Sequence, residues 1–139
     1  MTDARAADRL LTVDSIDTHY GDSHILFDLS LAVDRGEIVA LVGRNGAGKT
    51  TTLRSVMGVT SITNGAVTKE GDRLHELDPH EVRKHGISWI PEERRVFGNL
   101  TVEENLRLAA HSGDDDQADQ FEEIYTQFPR LDERRDQKA

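Results

Sequence analysis

The stretch that decides the fold of this 139-residue chain reads Gly43-Arg44-Asn45-Gly46-Ala47-Gly48-Lys49-Thr50-Thr51. It fits the pattern G-x-x-x-x-G-K-[ST], in which a glycine-rich loop wraps a phosphate chain with several backbone N–H groups. Glycine suits such a loop because it allows the backbone to approach a ligand closely. In this pattern Lys49 reaches the β- and γ-phosphates, and the Thr50 hydroxyl completes a Mg²⁺ shell. The stretch therefore predicts a nucleotide phosphate site.

The segments on either side of this loop match the setting that a phosphate loop requires. Residues 38–42 (Ile-Val-Ala-Leu-Val) form an apolar, β-branched run of the buried-strand type. Residues 50–57 are predicted to form a short helix that ends at Gly58. A strand, a glycine loop and a helix in this order point the positive end of the helix at the phosphates. This setting supports the prediction of a nucleotide site.

Composition limits the classes of function. The net charge is −9, with 17 basic and 26 acidic residues, which argues against a nucleic-acid binder. The absence of cysteine excludes disulfides, thiolate zinc sites and a cysteine nucleophile, and it suits a cytoplasmic protein. The first ten residues lack an apolar signal segment, and no apolar run approaches the length of a membrane span. Arginine outnumbers lysine 13 to 4. An acidic composition poor in lysine fits either a salt-adapted protein or an ordinary protein kept soluble by its negative charge.

The remaining strands are predicted from alternation and turn signals. Residues 11–16 and 25–33 indicate two strands joined by a short connection, which suggests an antiparallel β layer ahead of the nucleotide core. Residues 61–64 are expected to form a turn, followed by a strand over residues 65–70. Residues 87–90 indicate a further short strand, which we place beside the strand at residues 38–42.

Two later helices carry clear start signals. Asp78, Pro79 and Glu81 predict an N-cap, a first helical residue and a capping carboxylate, and Gly86 closes that helix. Thr101 begins a capping box for the next helix. Residues 112–116 indicate a solvated linker, and residues 117–128 resume helix.

Local sequence selects among the P-loop families. The D-x-x-G and N-K-x-D strings of a GTPase do not occur. The motifs that do occur are Tyr20-Gly21, Asp28-Leu29-Ser30-Leu31, residues 36–43 (Gly-Glu-Ile-Val-Ala-Leu-Val-Gly) and residues 101–106 (Thr-Val-Glu-Glu-Asn-Leu). Together they closely resemble the ATP-binding subunits of ABC transporters, over residues 11 to 135. Residues 90–97, 100–106, 128–131 and 133–135 are similar to the second ATPase subunit of branched-chain amino-acid importers, the LivF type. Urea and short-amide importers carry close relatives, so that substrate class stays open.

This resemblance implies an α/β P-loop NTPase fold, the ABC ATPase cassette. Its parts are an N-terminal antiparallel β layer, a RecA-like core and the start of a helical subdomain, with the C-terminal half missing. Residues 1–139 are then the N-terminal part of one ATP-binding domain. The β layer and P-loop core take about residues 10–95, and the helical subdomain starts over about residues 98–135.

The resemblance also gives site residues their roles. Tyr20 lies where the family has an aromatic residue that stacks on adenine, which any purine face allows. The residues that contact the nucleotide are then Tyr20, Gly43, Asn45, Gly46, Ala47, Gly48, Lys49, Thr50 and Thr51. ATP and Mg²⁺ are the expected cofactors.

Glu92 is the main departure from the family pattern. Most members have a glutamine there, which touches Mg²⁺ and the attacking water and signals to the membrane subunit. A carboxylate can bind Mg²⁺ directly, but it cannot donate a hydrogen bond while ionised. Thr50 and Glu92 are therefore the expected metal ligands, and the alternative for Glu92 is an ordinary surface charge. Val96, Phe97 and Leu100 lie in the region that would meet a membrane subunit, although burial within the domain would explain them equally well.

Several motifs that the family uses for hydrolysis do not occur in the sequence: the acidic strand end after four apolar residues, the signature L-S-G-G-Q and the switch histidine. Lys49 and Glu92 would contribute to catalysis, but the catalytic set is incomplete. The chain is therefore expected to be an N-terminal portion that binds Mg-ATP weakly at best and hydrolyses none.

The family resemblance implies partners and a location as well. Expected partners are a second ATPase subunit (in a homodimer or a heterodimer), membrane permease subunits and, indirectly, an external solute-binding protein, but no nucleic acid. The chain would lie in the cytoplasm, on the inner face of the cell membrane. Two other interpretations stay open: a non-catalytic nucleotide-binding remnant, and a soluble ABC ATPase that does not serve transport.

Overall fold

The computed structural model describes residues 8–93, 95–110 and 117–139. The chain divides into two compact units, Met1–Ile90 and Pro91–Ala139, and each is described here by itself. The first unit contains β1 (Arg9–Tyr20), β2 (Ser23–Asp34), α1 (Lys49–Val56), β3 (Ile62–Lys69), β4 (Asp72–Arg73), a 3₁₀ helix (Leu74–Glu76) and α2 (Pro79–Lys84). The second unit contains α3 (Val102–Ala109), α4 (Gln117–Gln127) and α5 (Pro129–Glu133).

The first unit is built on a four-stranded antiparallel sheet. Its strand order is β2-β1-β3-β4, so that β1 is paired on both edges. Val13 of β1 lies opposite Leu31 of β2 on one side and opposite Val67 of β3 on the other. The antiparallel β layer predicted from sequence is confirmed.

Strand β3 begins earlier than its sequence indicates. The turn predicted at residues 61–64 is wrong from Ile62 onward, because Ile62 lies opposite Thr18 and Asn64 lies opposite Asp17 in the ladder with β1. The polar side chains that resembled a turn bond across the strand instead. The Thr63 hydroxyl donates to the Asp17 carbonyl at 3.2 Å, and the Asn64 amide donates to the Asp17 carboxylate at 3.3 Å.

A small apolar core lies on one face of this sheet, where α1 and the 3₁₀ helix contact the strands. Its buried members are Val13, Ile16, Leu26, Val56, Met57, Val67, Leu74 and Val82. A buried hydrogen bond of 3.0 Å between the hydroxyls of Thr18 and Ser55 ties β1 to α1. Because both hydroxyls are buried, each satisfies a polar group that would otherwise be costly to remove from water.

The strand predicted before the P-loop and the strand predicted beside it are not strands here. Residues 38–42 and 87–90 form no ladder with any part of the described chain. Ile38 is 98% exposed and Val42 is 89% exposed. A buried parallel strand needs neighbours on its edges and cover on both faces. Neither segment has a neighbouring strand among the described residues, and Ile87 and Trp89 pack only partly against the core, so an apolar run alone does not make a strand.

The helix predictions are confirmed to within a residue or two. Helix α1 begins at Lys49 rather than Thr50, and Met57 is its C-cap, followed by Gly58 with φ of 69°. Helix α2 has the predicted capping box of Asp78 and Glu81 with proline at its first turn. The predicted linker at residues 112–116 lies outside the described residues.

The second unit is organised around the start of α3. Thr101 caps α3 by accepting a hydrogen bond from the Glu104 amide at 3.1 Å, and the Glu104 carboxylate accepts one from the Thr101 amide at 2.8 Å. The C-terminal segment returns to the same place, where the Val102 amide donates to the Gln137 carbonyl and the Ala139 amide donates to the Leu100 carbonyl. Whether this unit begins a helical subdomain stays a prediction.

Candidate nucleotide-binding site

The predicted phosphate loop forms an exposed turn that leads directly into α1. Its turn is closed by the Ala47 amide, which donates to the Arg44 carbonyl at 3.1 Å. Gly48 is the N-cap of α1, with φ of 91°, a conformation that residues with a side chain rarely adopt. A Cβ atom at Gly48 would lie 2.7 Å from the Leu26 side chain of β2. The left-handed backbone therefore favours glycine at this position, and a larger residue would also have to displace the Leu26 side chain.

The Lys49 side chain folds back over its own loop. Its ammonium group donates to the Gly43 carbonyl at 2.7 Å and to the Arg44 carbonyl at 2.8 Å. An ammonium group has three donors, so one more remains for an anion held in the loop. This arrangement places a positive charge at the mouth of the loop.

The N-terminus of α1 is suited to phosphate binding. The Thr52 amide makes the first bond of the helix, to the Gly48 carbonyl at 2.8 Å. The amides of Lys49, Thr50 and Thr51 precede the first carbonyl that could accept from them within the helix. No acidic residue lies in the first turn of α1 to compete with an anion there. Amides, helix dipole and Lys49 together fit a nucleotide phosphate chain, and the exposed Thr50 hydroxyl fits a Mg²⁺ ion.

The structure brings Tyr20 to the side of α1. Tyr20 ends β1, is 42% exposed, and makes a hydrogen bond of 3.1 Å through its hydroxyl to the Thr60 hydroxyl. This bond, with contributions from the side chains of Arg54 and Thr51, lowers the pKa of the Tyr20 phenol. The Tyr20 hydroxyl thus bonds to the segment that follows α1, although the two are far apart in sequence.

Glu92 belongs to the second unit, in an exposed bend. Its neighbour Glu93 forms an ion pair of 2.8 Å with Arg95, and Arg94 lies outside the described residues. The predicted role of Glu92 as a Mg²⁺ ligand stays a prediction.

The apolar residues after Glu92 are exposed, but their backbone is held firmly. Val96 and Phe97 are more than half exposed, and Leu100 is half-buried. The Asn105 side chain accepts from the Phe97 amide at 2.9 Å and donates to the Phe97 carbonyl at 3.1 Å. Sequence reasoning assigned no role to Asn105, since its partner lies eight residues away in a loop without regular structure.

Thr60 and Arg54 were also missed as neighbours of Tyr20. Thr60 follows α1 in an irregular segment, and Arg54 appears in the sequence as an ordinary helix surface residue. No spacing signal connects either residue with Tyr20, because the contact depends on how α1 packs against the end of β1.

Comparison with known proteins identifies the family. Residues 26–139, most of the chain, match the family described as "ABC transporter". The chain belongs to the ABC transporter family. The P-loop geometry above is therefore that of an ABC ATP-binding domain, and ATPase activity is the family's activity.

Two curated relatives carry the branched-chain amino-acid name. The chain is 41% identical over 131 residues to the "High-affinity branched-chain amino acid transport ATP-binding protein BraG" of Pseudomonas aeruginosa, covering 94% of this chain and 56% of that protein. It is 37% identical over 123 residues to the "Probable branched-chain amino acid transport ATP-binding protein LivF" of Archaeoglobus fulgidus, covering 88% and 52%. The recognition made from sequence is confirmed. The chain spans about half the length of these relatives.

A third relative has another role. The "Lipopolysaccharide export system ATP-binding protein LptB" of Escherichia coli is 36% identical over 113 residues, covering 81% of this chain and 47% of that protein. Proteins named for branched-chain amino-acid transport and for lipopolysaccharide export are thus similarly identical to this chain, at 36–41%. The comparisons therefore establish the family but not the transported solute.

Solved structures confirm the fold class. A structure described as "Structure of ATP binding subunit of ABC transporter" superposes with a TM-score of 0.81 at 35% identity, covering 93% of this chain and 54% of that one. A nucleotide-free ATP-binding cassette from an ABC transporter superposes with a TM-score of 0.74 at 20% identity, covering 94% and 58%, which shows the fold alone. Among the described residues, no helix has the length and apolar character to cross a membrane.

Proposed function

We propose that this chain is the ATP-binding part of an importer's ATPase subunit, which couples ATP binding and hydrolysis to uptake of branched-chain amino acids. The observation that carries the proposal is the P-loop at α1, where Lys49 bridges the Gly43 and Arg44 carbonyls beside a helix start free of acidic residues. The names of BraG and LivF and the motifs after Ile90 support the amino-acid assignment.

The chain's own residues divide the work of binding. Gly43, Asn45, Gly46, Ala47, Gly48, Lys49, Thr50 and Thr51 form the phosphate cradle. The Ala47 amide closes its turn, the other loop and first-turn amides hold the phosphates, and the Lys49 ammonium group reaches the outer ones. The Thr50 hydroxyl and the Glu92 carboxylate are the Mg²⁺ ligands, and the Tyr20 ring stacks on adenine. ATP with Mg²⁺, when bound, supplies the phosphoanhydride bond and the divalent charge.

The 139-residue chain by itself is expected to bind nucleotide without turning it over. Phosphoryl transfer depends on a full set of positioned charges, of which Lys49 and Glu92 are two. The sequence contains no S-G-G tripeptide, and no apolar run ending in Asp-Glu follows Thr51.

The proposed function requires partner proteins. A second ATPase subunit, permease subunits in the membrane and, indirectly, an external solute-binding protein complete the transporter. Val96 and Phe97, exposed beside the Asn105 bonds, are suited to dock a permease segment on the cytoplasmic face. The net charge of −9 disfavours nucleic acid as a partner.

Nucleotide binding is tested by calorimetry with Mg-ATP. Lys49→Ala should weaken binding by at least about tenfold, since a charge-assisted bond contributes about 1.5–3 kcal/mol. Lys84→Ala, an exposed lysine on α2, is the matched control and should leave the affinity unchanged. Equal affinity of wild type and Lys49→Ala would overturn the site.

Hydrolysis is tested with the same variants. Phosphate release by the wild-type chain should equal that of Lys49→Ala at every Mg-ATP concentration. Turnover that Lys49→Ala abolishes would contradict the proposed lack of catalytic competence, because contaminating ATPases do not respond to this substitution.

The transported solute is tested in the cells that produce the protein. Lys49→Ala in the chromosomal gene of the complete ATPase subunit should abolish high-affinity uptake of radiolabelled leucine and leave urea uptake unchanged. Loss of urea uptake with normal leucine uptake would instead assign the subunit to an amide importer.

A further inference from the structure

The Tyr20 ring is held at both ends. Its Cβ end is fixed by the last pairing of the β1–β2 hairpin, where Tyr20 lies opposite Ser23. Its far end is fixed by the hydroxyl, which bonds to the Thr60 hydroxyl at 3.1 Å in the segment between α1 and β3. The ring between these two ends stays 42% exposed. A side chain held in this way presents one fixed face to solvent.

Side chains of α1 also influence the Tyr20 hydroxyl. After the hydrogen bond between the Tyr20 and Thr60 hydroxyls, the side chain of Arg54 is the next cause that lowers the pKa of the Tyr20 phenol, and Thr51 contributes as well. Strand β1, which Tyr20 ends, is tied to the helix whose N-terminus carries the phosphate loop by the buried Thr18–Ser55 bond.

We propose that Thr60 is a positioning residue for nucleotide binding: its bond to the Tyr20 hydroxyl pre-orients the ring as a platform for the base. The inference rests on the proposed adenine contact of Tyr20 and adds a residue that acts through it. Binding normally loses affinity when a free side chain must be immobilised, and a ring that is already fixed avoids that loss. The hydroxyl of Tyr20, and not only its ring, then contributes to affinity for ATP.

The test measures Mg-ATP affinity of the 139-residue chain for Tyr20→Phe, Thr60→Val and the double variant. Each single variant should weaken binding by about two- to tenfold, the range that one hydrogen bond carries. The double variant should be no weaker than either single one, because both remove the same bond. Thr60→Ser keeps the hydroxyl and should retain wild-type affinity.

Two controls separate positioning from a general structural effect. Inorganic tripolyphosphate with Mg²⁺ has no base, so its affinity should be unchanged in Tyr20→Phe and Thr60→Val. Thr63→Val removes a similar hydroxyl, which bonds to the His19 ring at 3.0 Å, and should leave Mg-ATP affinity unchanged. If tripolyphosphate affinity falls in parallel with that of ATP, the bond supports the loop and the proposal is wrong.

The outcomes also distinguish this proposal from the adenine contact itself. If Tyr20→Ala weakens ATP binding while Tyr20→Phe and Thr60→Val do not, the ring stacks without help from Thr60 and the positioning role is overturned. If Tyr20→Ala has no effect on ATP while Lys49→Ala abolishes binding, the adenine contact fails and the phosphate site stands. If Thr60→Val does not fold, Tyr20→Phe alone decides, because it leaves the backbone and ring in place.

Discussion

The antiparallel sheet and residues 38–42, which precede the P-loop, contain similar apolar residues. The strands of the sheet are paired, whereas residues 38–42 are unpaired. Val13 and Ile16 of β1 are fully buried, and β1 is paired on both edges. Ile38 and Val42 have the same β-branched side chains, and they lie in an unpaired segment open to solvent. The difference shows that β propensity describes a fit to a pleated, half-buried surface rather than an intrinsic preference of the backbone.

Pairing partners explain which segment becomes a strand. Strand β1 has neighbours from β2, twelve residues long, and from β3, so each of its buried side chains has a cross-strand contact. The core is completed by α1, which follows the P-loop and packs against the sheet through the Thr18–Ser55 bond. The P-loop is therefore supported from the sheet side, through Leu26 and α1, and not by residues 38–42.

The largest expected effect on stability comes from replacing a buried isoleucine of the sheet with alanine, compared with the same replacement at an exposed isoleucine of residues 38–42. Ile16→Ala should lower the free energy of unfolding by about 2–5 kcal/mol, because it removes buried methyl groups and leaves a cavity. Ile38→Ala should change it by less than about 0.5 kcal/mol, because its side chain is already in water. Urea unfolding followed by circular dichroism measures both. A cost at Ile38 comparable to that at Ile16 would mean that residues 38–42 are packed in solution. If Ile16→Ala does not fold, Ile16→Val should lose about 0.5–1.5 kcal/mol.

The second prediction tests how the sheet supports the loop. Gly48→Ala should destabilise the chain by more than the ~1–2 kcal/mol that a left-handed residue with a side chain costs, since its Cβ also meets Leu26 at 2.7 Å. Gly46→Ala is the control: it has φ of 81°, but an added Cβ meets nothing within 4 Å, so only the backbone cost applies. Thermal unfolding ranks the two. Equal losses would show that Leu26 does not support the loop.

The third prediction concerns the bond between β1 and α1. Thr18→Val should lower stability by about 1–3 kcal/mol, because the Ser55 hydroxyl then stays buried without a partner. Adding Ser55→Ala to Thr18→Val should recover part of that loss, because neither side then buries an unpaired polar group. Thr63→Val removes an exposed hydroxyl that bonds to the His19 ring and to the Asp17 carbonyl, and it should cost less stability than Thr18→Val, because water can replace exposed hydrogen bonds. Urea unfolding measures the loss of stability in Thr18→Val, Ser55→Ala and the double variant. If the loss in the double variant equals the sum of the two single losses, the proposed link between β1 and α1 is wrong.

The sequence predicted those parts of the fold whose signals are local. The alternation in β1 and β2 and the capping boxes at Asp78 and Thr101 each involve residues within a few positions, and the structure confirms them. The P-loop was recognised because its chemistry requires a fixed spacing. It was recognised correctly even though the strand expected before it is absent from the described residues.

The parts that were missed depend on partners distant in the chain. Residues 38–42 and 87–90 have strand composition, but composition does not say whether a neighbouring strand is available. Thr63 and Asn64 resembled a turn because their polar side chains are common in turns. The backbone of this segment instead pairs with β1 as part of β3, and the side chains of Thr63 and Asn64 bond to Asp17, more than forty residues away. The contact between Tyr20 and Thr60 was unpredictable for the same reason.

The smallest expected effect is on the pH dependence of stability, and it comes from Asp17 in the β1–β2 hairpin. The pKa of Asp17 lies below its ordinary value, first because its carboxylate accepts a hydrogen bond from the Asp28 amide and next because it pairs with His24 at 2.8 Å. A carboxyl group with a lowered pKa contributes stability that is fully present above its unfolded-state pKa, about 3.9, and is lost as pH falls through the lower folded value. Stability measured by urea unfolding should therefore decline below about pH 4, and Asp17→Asn should decline less steeply over that range. Asp14→Asn on the same strand is the control and should follow the wild-type curve. An Asp17→Asn slope equal to that of wild type would show that the Asp17 bonds do not stabilise the hairpin.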